Sequence, residues 1–216
     1  MKKIFVASGF AGACIVGLLF GAKFLYPSAA GGLGSSGISM KTVVNEKLPD
    51  GYECSDGWRI TGYFTPVETD YASGKLREVD IQDAGKLSFN AEFLDVVFNE
   101  NEGSGEGWGK TRFGWYLGNY DGKWHKSAAP LDANNSPLEP NSVAVDNDLI
   151  PNGSFVKIPD LPAEYSSKTF VANDVGVTVH GKHIDVYTGE GKNAESEMYR
   201  VTFEDENLLK VCHKKP

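Results

Sequence analysis

Residues 168–190, KTFVANDVGVTVHGKHIDVYTGE, constrain the fold of this chain more than any other stretch. The stretch opens with β-branched and apolar residues and closes with strict alternation, two patterns that predict short β-strands. Each predicted strand carries one aspartate, Asp174 in the first and Asp185 in the second. Gly176 and Gly181 lie between them, where they permit backbone angles or close approaches that a side chain would forbid. We therefore expect two neighbouring strands that bring two carboxylates together.

The second predicted strand places His183, Asp185 and Tyr187 on one face, because side chains alternate along a strand. Two acids held in one groove tend to have different pKa values. One can then stay protonated near neutral pH while the other stays charged. Such a pair can break a glycosidic bond by general acid catalysis. Spacing alone also permits a simpler interpretation, in which Asp174 and Asp185 only cap turns.

The composition favours an all-β fold, since 25 glycines and few helix-forming runs occur among 216 residues. A chain of this length can form one domain with a sizeable core and an additional terminal segment. The formal net charge is −8 and lysines and arginines form only short pairs. This balance argues against a nucleic-acid partner, because binding to phosphates rests on basic side chains.

The N-terminus predicts export. Lys2 and Lys3 precede an uncharged apolar run over residues 4–22, which is longer than the core of an ordinary signal peptide. Ser28, Ala29 and Ala30 offer a cleavage site, so residues 1–28 are either a signal peptide or a membrane anchor. We expect a periplasmic or cell-envelope protein, held at the inner membrane by residues 4–26 if the segment is not cleaved. A Gly/Ser-rich linker over 29–48 then leads to a folded domain over 49–214.

Two cysteines mark the ends of that domain. Cys54 lies near its start and Cys212 near its end, and export places both where disulfides form and persist. We predict that they pair, which would close a long loop and restrict the unfolded chain. Two unpaired buried thiols are the alternative.

Further strands are predicted on both sides of the central stretch. Residues 58–67 alternate, so that Tyr63 and Thr65 share a face, and Pro66 ends ladder pairing. Residues 142–158 predict a strand that ends at Asp146, a turn and another strand. Residues 198–203 and 208–212 predict the closing strands. Short strands without helical crossovers indicate a small closed barrel.

The residues between the first predicted strand and Asp146 predict a loop-rich insertion. It contains polar turns, a strand-like run over 87–99 and a glycine-rich stretch over 99–110. The glycine-rich stretch lacks the Gly-Lys-Ser/Thr ending of a phosphate-binding loop, and its glutamates 100, 102 and 106 would repel phosphate. We therefore predict a mobile surface loop there.

Three motifs in order carry a family resemblance: TGYFTP at 61–66, SVAVDNDLIPNGSFVKIP at 142–159 and FVANDVGVTVHGKHIDVY at 170–187. Together they resemble the three-aspartate (3D) domain of membrane-bound lytic murein transglycosylase A and of smaller muralytic proteins. The resemblance implies a six-stranded double-psi β-barrel, here with the loop-rich insertion and a preceding N-terminal apolar helix. It also implies that most of the second domain of the large transglycosylases is missing.

The resemblance further implies an enzyme that cleaves the β-1,4 bond between N-acetylmuramic acid and N-acetylglucosamine and leaves a 1,6-anhydro product. The three aspartates of the family fall on Asp146, Asp174 and Asp185. Asp185 corresponds to the single general acid and base, and Asp174 to its partner. The residues expected to contact the glycan strand are Asp146, Tyr63, Thr65, Gly176, Thr178, His183 and Tyr187.

The sequence departs from the family pattern at two positions. Val177 stands where a second glycine is usual and would narrow the groove, and His180 stands where a basic residue is common. A non-catalytic, expansin-like glycan-binding module is therefore an alternative, and hydrolysis of another β-1,4-glucan is a third. His180 and His183 are spaced for a metal site, but without a clear third ligand we expect neither metal nor cofactor. We expect a monomer.

Overall fold

The computed structural model describes residues 51–71, 74–203 and 208–216. The predicted signal peptide or anchor over 1–28 and the linker over 29–48 lie outside the described residues. Within them no helix is long and apolar enough to cross a membrane. The strands and helices in chain order are β1 (Glu53–Thr65), β2 (Leu76–Ile81), β3 (Gly85–Asn90), α1 (Ala91–Val97), β4 (Trp108–Lys110), β5 (Tyr116–Tyr120), β6 (Lys123–Ser127), β7 (Ser142–Val145), β8 (Phe155–Lys157), α2 (Ala163–Ser166), β9 (Phe170–Asp174), β10 (His183–Glu190), α3 (Gly191–Val201) and β11 (Leu209–Lys214).

Six of these strands form a closed barrel in the order β1-β10-β7-β9-β8-β11. The pairs β1–β10 and β7–β9 are parallel, and the other four pairs are antiparallel. Apart from β1 the strands have at most eight residues, and their buried positions are mostly Val, Ile, Phe and Ala, which suit the interior of a small barrel. The six-stranded closed sheet agrees with the sequence-based expectation. The double-psi connection pattern stays a prediction.

The central stretch needs one correction. Sequence placed its two strands side by side, but β9 and β10 are both paired to β7 and lie on opposite sides of it. The turn between them is therefore a crossover past β7 and not a hairpin. Strand β7 reads Ser-Val-Ala-Val and is buried at every position, which suits a strand paired on both sides.

The predicted loop-rich insertion is wrong, because this part of the chain folds into a sheet of its own. Its five strands follow the order β3-β2-β6-β5-β4. Helix α1 packs on this sheet, where Phe93, Leu94 and Val97 are fully buried. A second hydrophobic core, separate from that of the barrel, joins them to Phe89 and Leu117. The insertion is thus a second packed layer of structure.

Two segments predicted as strands are helical. Asn90 interrupts the strand-like run over 87–99, and its side chain accepts hydrogen bonds from the backbone N–H groups of Glu92 and Phe93. This is an N-cap, and it begins α1 in the middle of the run. Residues 198–201 of the predicted strand 198–203 are the last turn of α3. Val201 there is buried against the barrel core, a position that a strand or a helix end satisfies equally.

The predicted disulfide between Cys54 and Cys212 is confirmed. The two residues are cross-strand partners in the antiparallel pair β1–β11, with Cα atoms 4.0 Å apart. They are separated by 158 positions in sequence. The bond therefore ties the first strand of the barrel to its last strand.

Candidate active site

The barrel aligns four residues in one row across adjacent strands. Thr61 of β1 is paired with Asp185 of β10, Asp185 with Ala144 of β7, and Ala144 with Asp174 of β9. Two strand spacings separate the aspartate backbones, which corresponds to about 10 Å. The residue between them in the row is Ala144, whose small side chain leaves room for both carboxyl groups over β7.

Asp185 has the environment of a general acid. Burial raises its pKa to about 6, and the charge of Asp174 acts in the same direction. The hydroxyl of Thr61 donates a hydrogen bond to Asp185 Oδ1 at 2.8 Å, and this bond together with Arg59 opposes the increase. The hydrogen bond also fixes the orientation of the carboxyl group. A carboxyl with a pKa near 6 can carry a proton under mildly acidic conditions and release it during a reaction.

Asp174 is held from two sides. The phenol of Tyr63 donates a hydrogen bond to Oδ2 at 2.7 Å, and the backbone N–H of Val175 donates to Oδ1 at 2.9 Å. Burial raises the pKa of Asp174, while these two hydrogen bonds stabilise the charged form. The nearby charge of Asp132 acts with burial. Tyr63 itself is kept neutral, because burial and the charge of Asp174 raise its pKa well above the ordinary value.

Both aspartates line one cleft of about 560 Å³. The barrel forms one wall with Tyr63, Ala144, Asp185 and residues 174–179. The second sheet forms the opposite wall with residues 103–108 and 119–122, and a connecting segment around Asp132 closes one side. No Lys or Arg occurs among the described residues that line the cleft. Its polar groups are acids, hydroxyls and amides, which suit a ligand rich in hydroxyl groups better than a phosphate.

Gly176 and Thr178 lie in the cleft wall, as predicted for substrate-contacting residues. A Cβ at Gly176 would stand 2.7 Å from Val179 Cγ2, so a side chain there would displace the turn. Val177 also lines the cleft, and its side chain is 69% exposed. The valine that replaces the family glycine therefore projects into solvent at the rim and leaves the two aspartates open to the cleft.

His183 lies behind Asp185 and not in the cleft wall. Its side chain is buried, with Nε2 2.8 Å from Thr61 Oγ1 and Nδ1 3.2 Å from the carbonyl oxygen of Thr178. Which ring nitrogen of His183 carries the proton depends on the tautomer. His183 contacts Thr61, which donates a hydrogen bond to Asp185, so the structure places His183 as a supporting residue.

Thr65 and Tyr187 also lie outside the cleft wall. Both are buried and share a hydrogen bond of 2.9 Å between their hydroxyl groups. The β1–β10 pairing is irregular between Tyr63 and Thr65, and both residues contact Tyr187. Tyr187 packs its ring on Tyr63 at a centroid distance of 5.2 Å. The pair thus supports the position of Tyr63.

Asp146 is not brought together with the other two aspartates. Its Oδ2 accepts a hydrogen bond from the backbone N–H of Gly181 at 2.7 Å, and its Oδ1 accepts one from Asp148 at 3.0 Å. These bonds lower its pKa. The carboxylate fastens the turn after β7 to the turn before β10. This is the turn-capping role that sequence spacing alone had allowed for an aspartate.

Sequence analysis missed three residues of the site. Thr61 was included in a motif but assigned no role, and Asp132 was not singled out. Asp132 Oδ1 accepts hydrogen bonds from the backbone of Asn134 and Ser136, and its Oδ2 accepts one from the side chain of Asn173 beside Asp174. Glu106 was assigned to a mobile surface loop.

Among the described residues no group of three or more His, Cys, Asp and Glu side chains is arranged to hold a metal ion.

Glu106 lies in the cleft wall opposite the barrel. Its Oε2 accepts a hydrogen bond of 2.8 Å from the backbone N–H of Phe64 in β1. Burial raises its pKa to about 8, and the charges of Asp185 and Glu195 contribute to the increase. The flanking glycines of the GSGEG sequence over 103–107 were the available signal, because such a loop can approach a neighbouring backbone closely.

Comparison with known proteins gives one family match. Residues 141–201, which hold Asp146, Asp174 and Asp185, match the family described as the 3D domain. No curated protein matches the chain in sequence.

Solved structures that match the chain include two lytic transglycosylases. The crystal structure of Escherichia coli MltA with bound chitohexaose has a TM-score of 0.51 and 16% sequence identity, and the match covers 76% of this chain and 72% of that chain. The membrane-bound lytic murein transglycosylase from Agrobacterium tumefaciens has a TM-score of 0.47 and 13% identity, with 73% and 74% covered. The chain thus shares the MltA fold, in agreement with the resemblance seen in its motifs.

Proposed function

We propose that this protein is a peptidoglycan lytic transglycosylase that cleaves the β-1,4 bond between N-acetylmuramic acid and N-acetylglucosamine. The observation that carries the proposal is the row Thr61-Asp185-Ala144-Asp174 at one wall of an open cleft. It combines an acid of raised pKa with a second carboxyl group two strands away in the same row. The match to the 3D domain and the fold shared with MltA support the same reaction.

The proposed reaction uses Asp185 twice. In its neutral form Asp185 donates a proton to the glycosidic oxygen, and the bond from that oxygen to C1 of the muramic acid residue breaks as positive charge develops on C1. The Asp185 carboxylate then accepts the proton of the C6 hydroxyl group of the same sugar. The C6 oxygen bonds to C1 and closes the 1,6-anhydro ring, so that no water is consumed and Asp185 regains its proton.

The other residues of the row support this cycle. Asp174, held by Tyr63 and the N–H of Val175, supplies a negative charge that favours the protonated form of Asp185 and stabilises positive charge on the sugar. Thr61 keeps the Asp185 carboxyl in one orientation. Since the pKa of Asp185 is about 6, we expect the fastest cleavage below about pH 6, where the acid is mostly neutral.

The location of the reaction belongs to the same proposal. Residues 4–26 would carry the chain across the inner membrane, and the Gly/Ser-rich linker over 29–48 would let an anchored domain reach the wall. The disulfide between Cys54 and Cys212 suits an oxidising compartment. We propose a monomer in the periplasm or cell envelope that acts on glycan strands.

The decisive experiment compares the wild type with Asp185→Asn on purified sacculi, with anhydromuropeptides identified by mass spectrometry. The amide keeps an acceptor for Thr61 but cannot donate an acidic proton, so product release should fall by about 10²- to 10⁴-fold. Binding to sacculi, measured by co-sedimentation, should persist. Asp160→Asn, at an exposed turn, is the matched control and should behave like the wild type.

Two outcomes would contradict the proposal. Near-normal turnover by Asp185→Asn would remove Asp185 from its assigned role. A wild-type protein that sediments with sacculi and releases no anhydro product would indicate a glycan-binding module, whereas products with a reducing end would indicate hydrolysis.

A further inference from the structure

The second sheet contributes a carboxyl group to the cleft, and it stands outside the aspartate row. Glu106 is carried by the loop over residues 103–107, and it lines the cleft together with Asp174 and Asp185. The barrel and the second sheet thus both present acids to the same space. None of the steps proposed above uses Glu106.

The loop is built to hold Glu106 in one place. The backbone N–H groups of Glu106 and Gly107 donate hydrogen bonds of 3.0 Å to the carbonyl oxygens of Val96 and Val97 at the end of α1. A Cβ at Gly105 would stand 2.4 Å from the Val97 carbonyl oxygen, so only glycine permits this approach. The segment that sequence analysis predicted as a mobile surface loop is therefore fastened to the core of the second sheet.

One oxygen of the Glu106 carboxyl makes a structural hydrogen bond, and the other is available to a ligand in the cleft. Oε2 accepts the hydrogen bond from the N–H of Phe64, next to Tyr63 in β1. Within the described parts of the chain, Phe64 is the only hydrogen-bond partner of this carboxyl, which leaves Oε1 uncommitted. A protonated Oε1 can donate a hydrogen bond to an acetamido carbonyl or a hydroxyl oxygen of a glycan.

The charges around Glu106 favour its neutral form. The negative charges of Asp185 in β10 and Glu195 in α3 raise its pKa. The charge of Glu106 in turn contributes to the raised pKa of Tyr71. No basic group acts on Glu106 among the residues that the structure describes. Burial and these charges together raise its pKa to about 8.

We infer that Glu106 is a further substrate-binding residue of the cleft, which in its neutral form donates a hydrogen bond to the glycan strand opposite Asp185. This inference rests on the proposed function. Ionisation of Glu106 removes the donor and places a negative charge near Asp185, so the charged form should neither bind the strand well nor support the reaction.

The test is the pH dependence of kcat/KM on solubilised peptidoglycan, because this parameter reports groups of the free enzyme. In the wild type, the logarithm of kcat/KM should fall with a slope of −1 above about pH 6, where Asp185 ionises, and steepen to −2 above about pH 8. In Glu106→Gln the amide remains a neutral donor and still accepts from Phe64. Its slope should therefore stay at −1 up to pH 9.

Glu102→Gln is the matched control, because Glu102 belongs to the same glycine-rich stretch and is exposed to solvent. It should reproduce the wild-type profile, including the steeper limb. A purely structural role for Glu106 predicts that Glu106→Gln also reproduces that profile, and this result would overturn the inference. A wild-type slope of −1 throughout would overturn it as well. By contrast, absence of anhydro product from the wild type at every pH would overturn the proposed function itself.

Discussion

At the scale of single residues, the acidity of Asp185 is set by opposing effects, of which burial is the largest. Burial and the charge of Asp174 favour the neutral acid, whereas the Thr61 hydroxyl and the positive charge of Arg59 favour the carboxylate. One pKa unit corresponds to about 1.4 kcal/mol, which is the size of a single hydrogen bond to a charged group. The value near 6 is therefore sensitive to removal of any one neighbour.

Thr61→Val tests this balance directly. Valine has nearly the volume of threonine but donates no hydrogen bond, so the carboxylate loses a stabilising contact and the pKa of Asp185 should rise by about one unit. Because the acid must be protonated, the decline of kcat/KM above pH 6 should move to higher pH by the same amount. Turnover below pH 5 should fall less than tenfold, since the proton donor is retained.

Thr61→Ser is the control for that prediction, because it keeps the hydroxyl group and should leave the decline near pH 6. The measurement is the release of anhydro products from sacculi between pH 4 and pH 9. A Thr61→Val profile that coincides with the wild type would show that the hydrogen bond of 2.8 Å does not tune the acid.

At the scale of elements, the sequence predicted those strands whose pattern coincides with their burial. Alternation located β10, and the buried run Ser-Val-Ala-Val located β7. The run over 87–99 was misjudged because apolar residues in a short segment fit a strand and a helix equally well. What decides between them is the cap by Asn90, which ends β3 and begins α1 within the same run.

The loop after α1 yields a prediction at this scale. A methyl group at Gly105 would collide with the backbone of Val97, so Gly105→Ala should shift the loop and destabilise the protein by about 1–3 kcal/mol. The displaced loop should also draw Glu106 away from the N–H of Phe64 and reduce cleavage. Urea denaturation measures the first effect, and product release from sacculi at pH 6 measures the second.

Ser104→Ala provides the comparison for stability, because Ser104 precedes Gly105 and its side chain makes no hydrogen bond to the described residues. Its unfolding free energy should stay within about 0.5 kcal/mol of the wild type. Equal stability of Gly105→Ala and the wild type would mean that the loop can move without cost, contrary to the contacts described above.

At the scale of the whole molecule, the site exists only because a barrel and a second sheet face each other across a cleft. Motifs predicted the barrel and its aspartates, since those residues lie in the segments that resemble the 3D domain. They did not predict the second sheet. Its strands β2 and β3 are joined by a turn at Asp83, whose backbone is left-handed, and in sequence this segment resembles a polar loop. The position of Glu106 depends on that sheet, so no local pattern could place it opposite Asp185.

The barrel itself is closed by one pairing between distant parts of the chain. Strands β1 and β11 lie at opposite ends of the folded chain, and the bond between Cys54 and Cys212, whose sequence separation is 158, fastens their pairing. Replacing both cysteines by alanine should destabilise the protein by about 2–5 kcal/mol, mainly because the unfolded chain gains freedom. Alanine is the suitable replacement since Cys212 is fully buried beside apolar residues. The measurement is the urea midpoint of the wild type and of the double variant.

Reductant supplies the control for this prediction. Added dithiothreitol should lower the wild-type midpoint to that of the double variant and leave the double variant unchanged. Cleavage of sacculi in the absence of urea should continue in both, because the disulfide lies on β1 and β11 while the acids lie on β9 and β10. If the double variant unfolds at the wild-type urea concentration, the β1–β11 pairing is held by the hydrophobic core alone, and the covalent link contributes nothing to barrel closure.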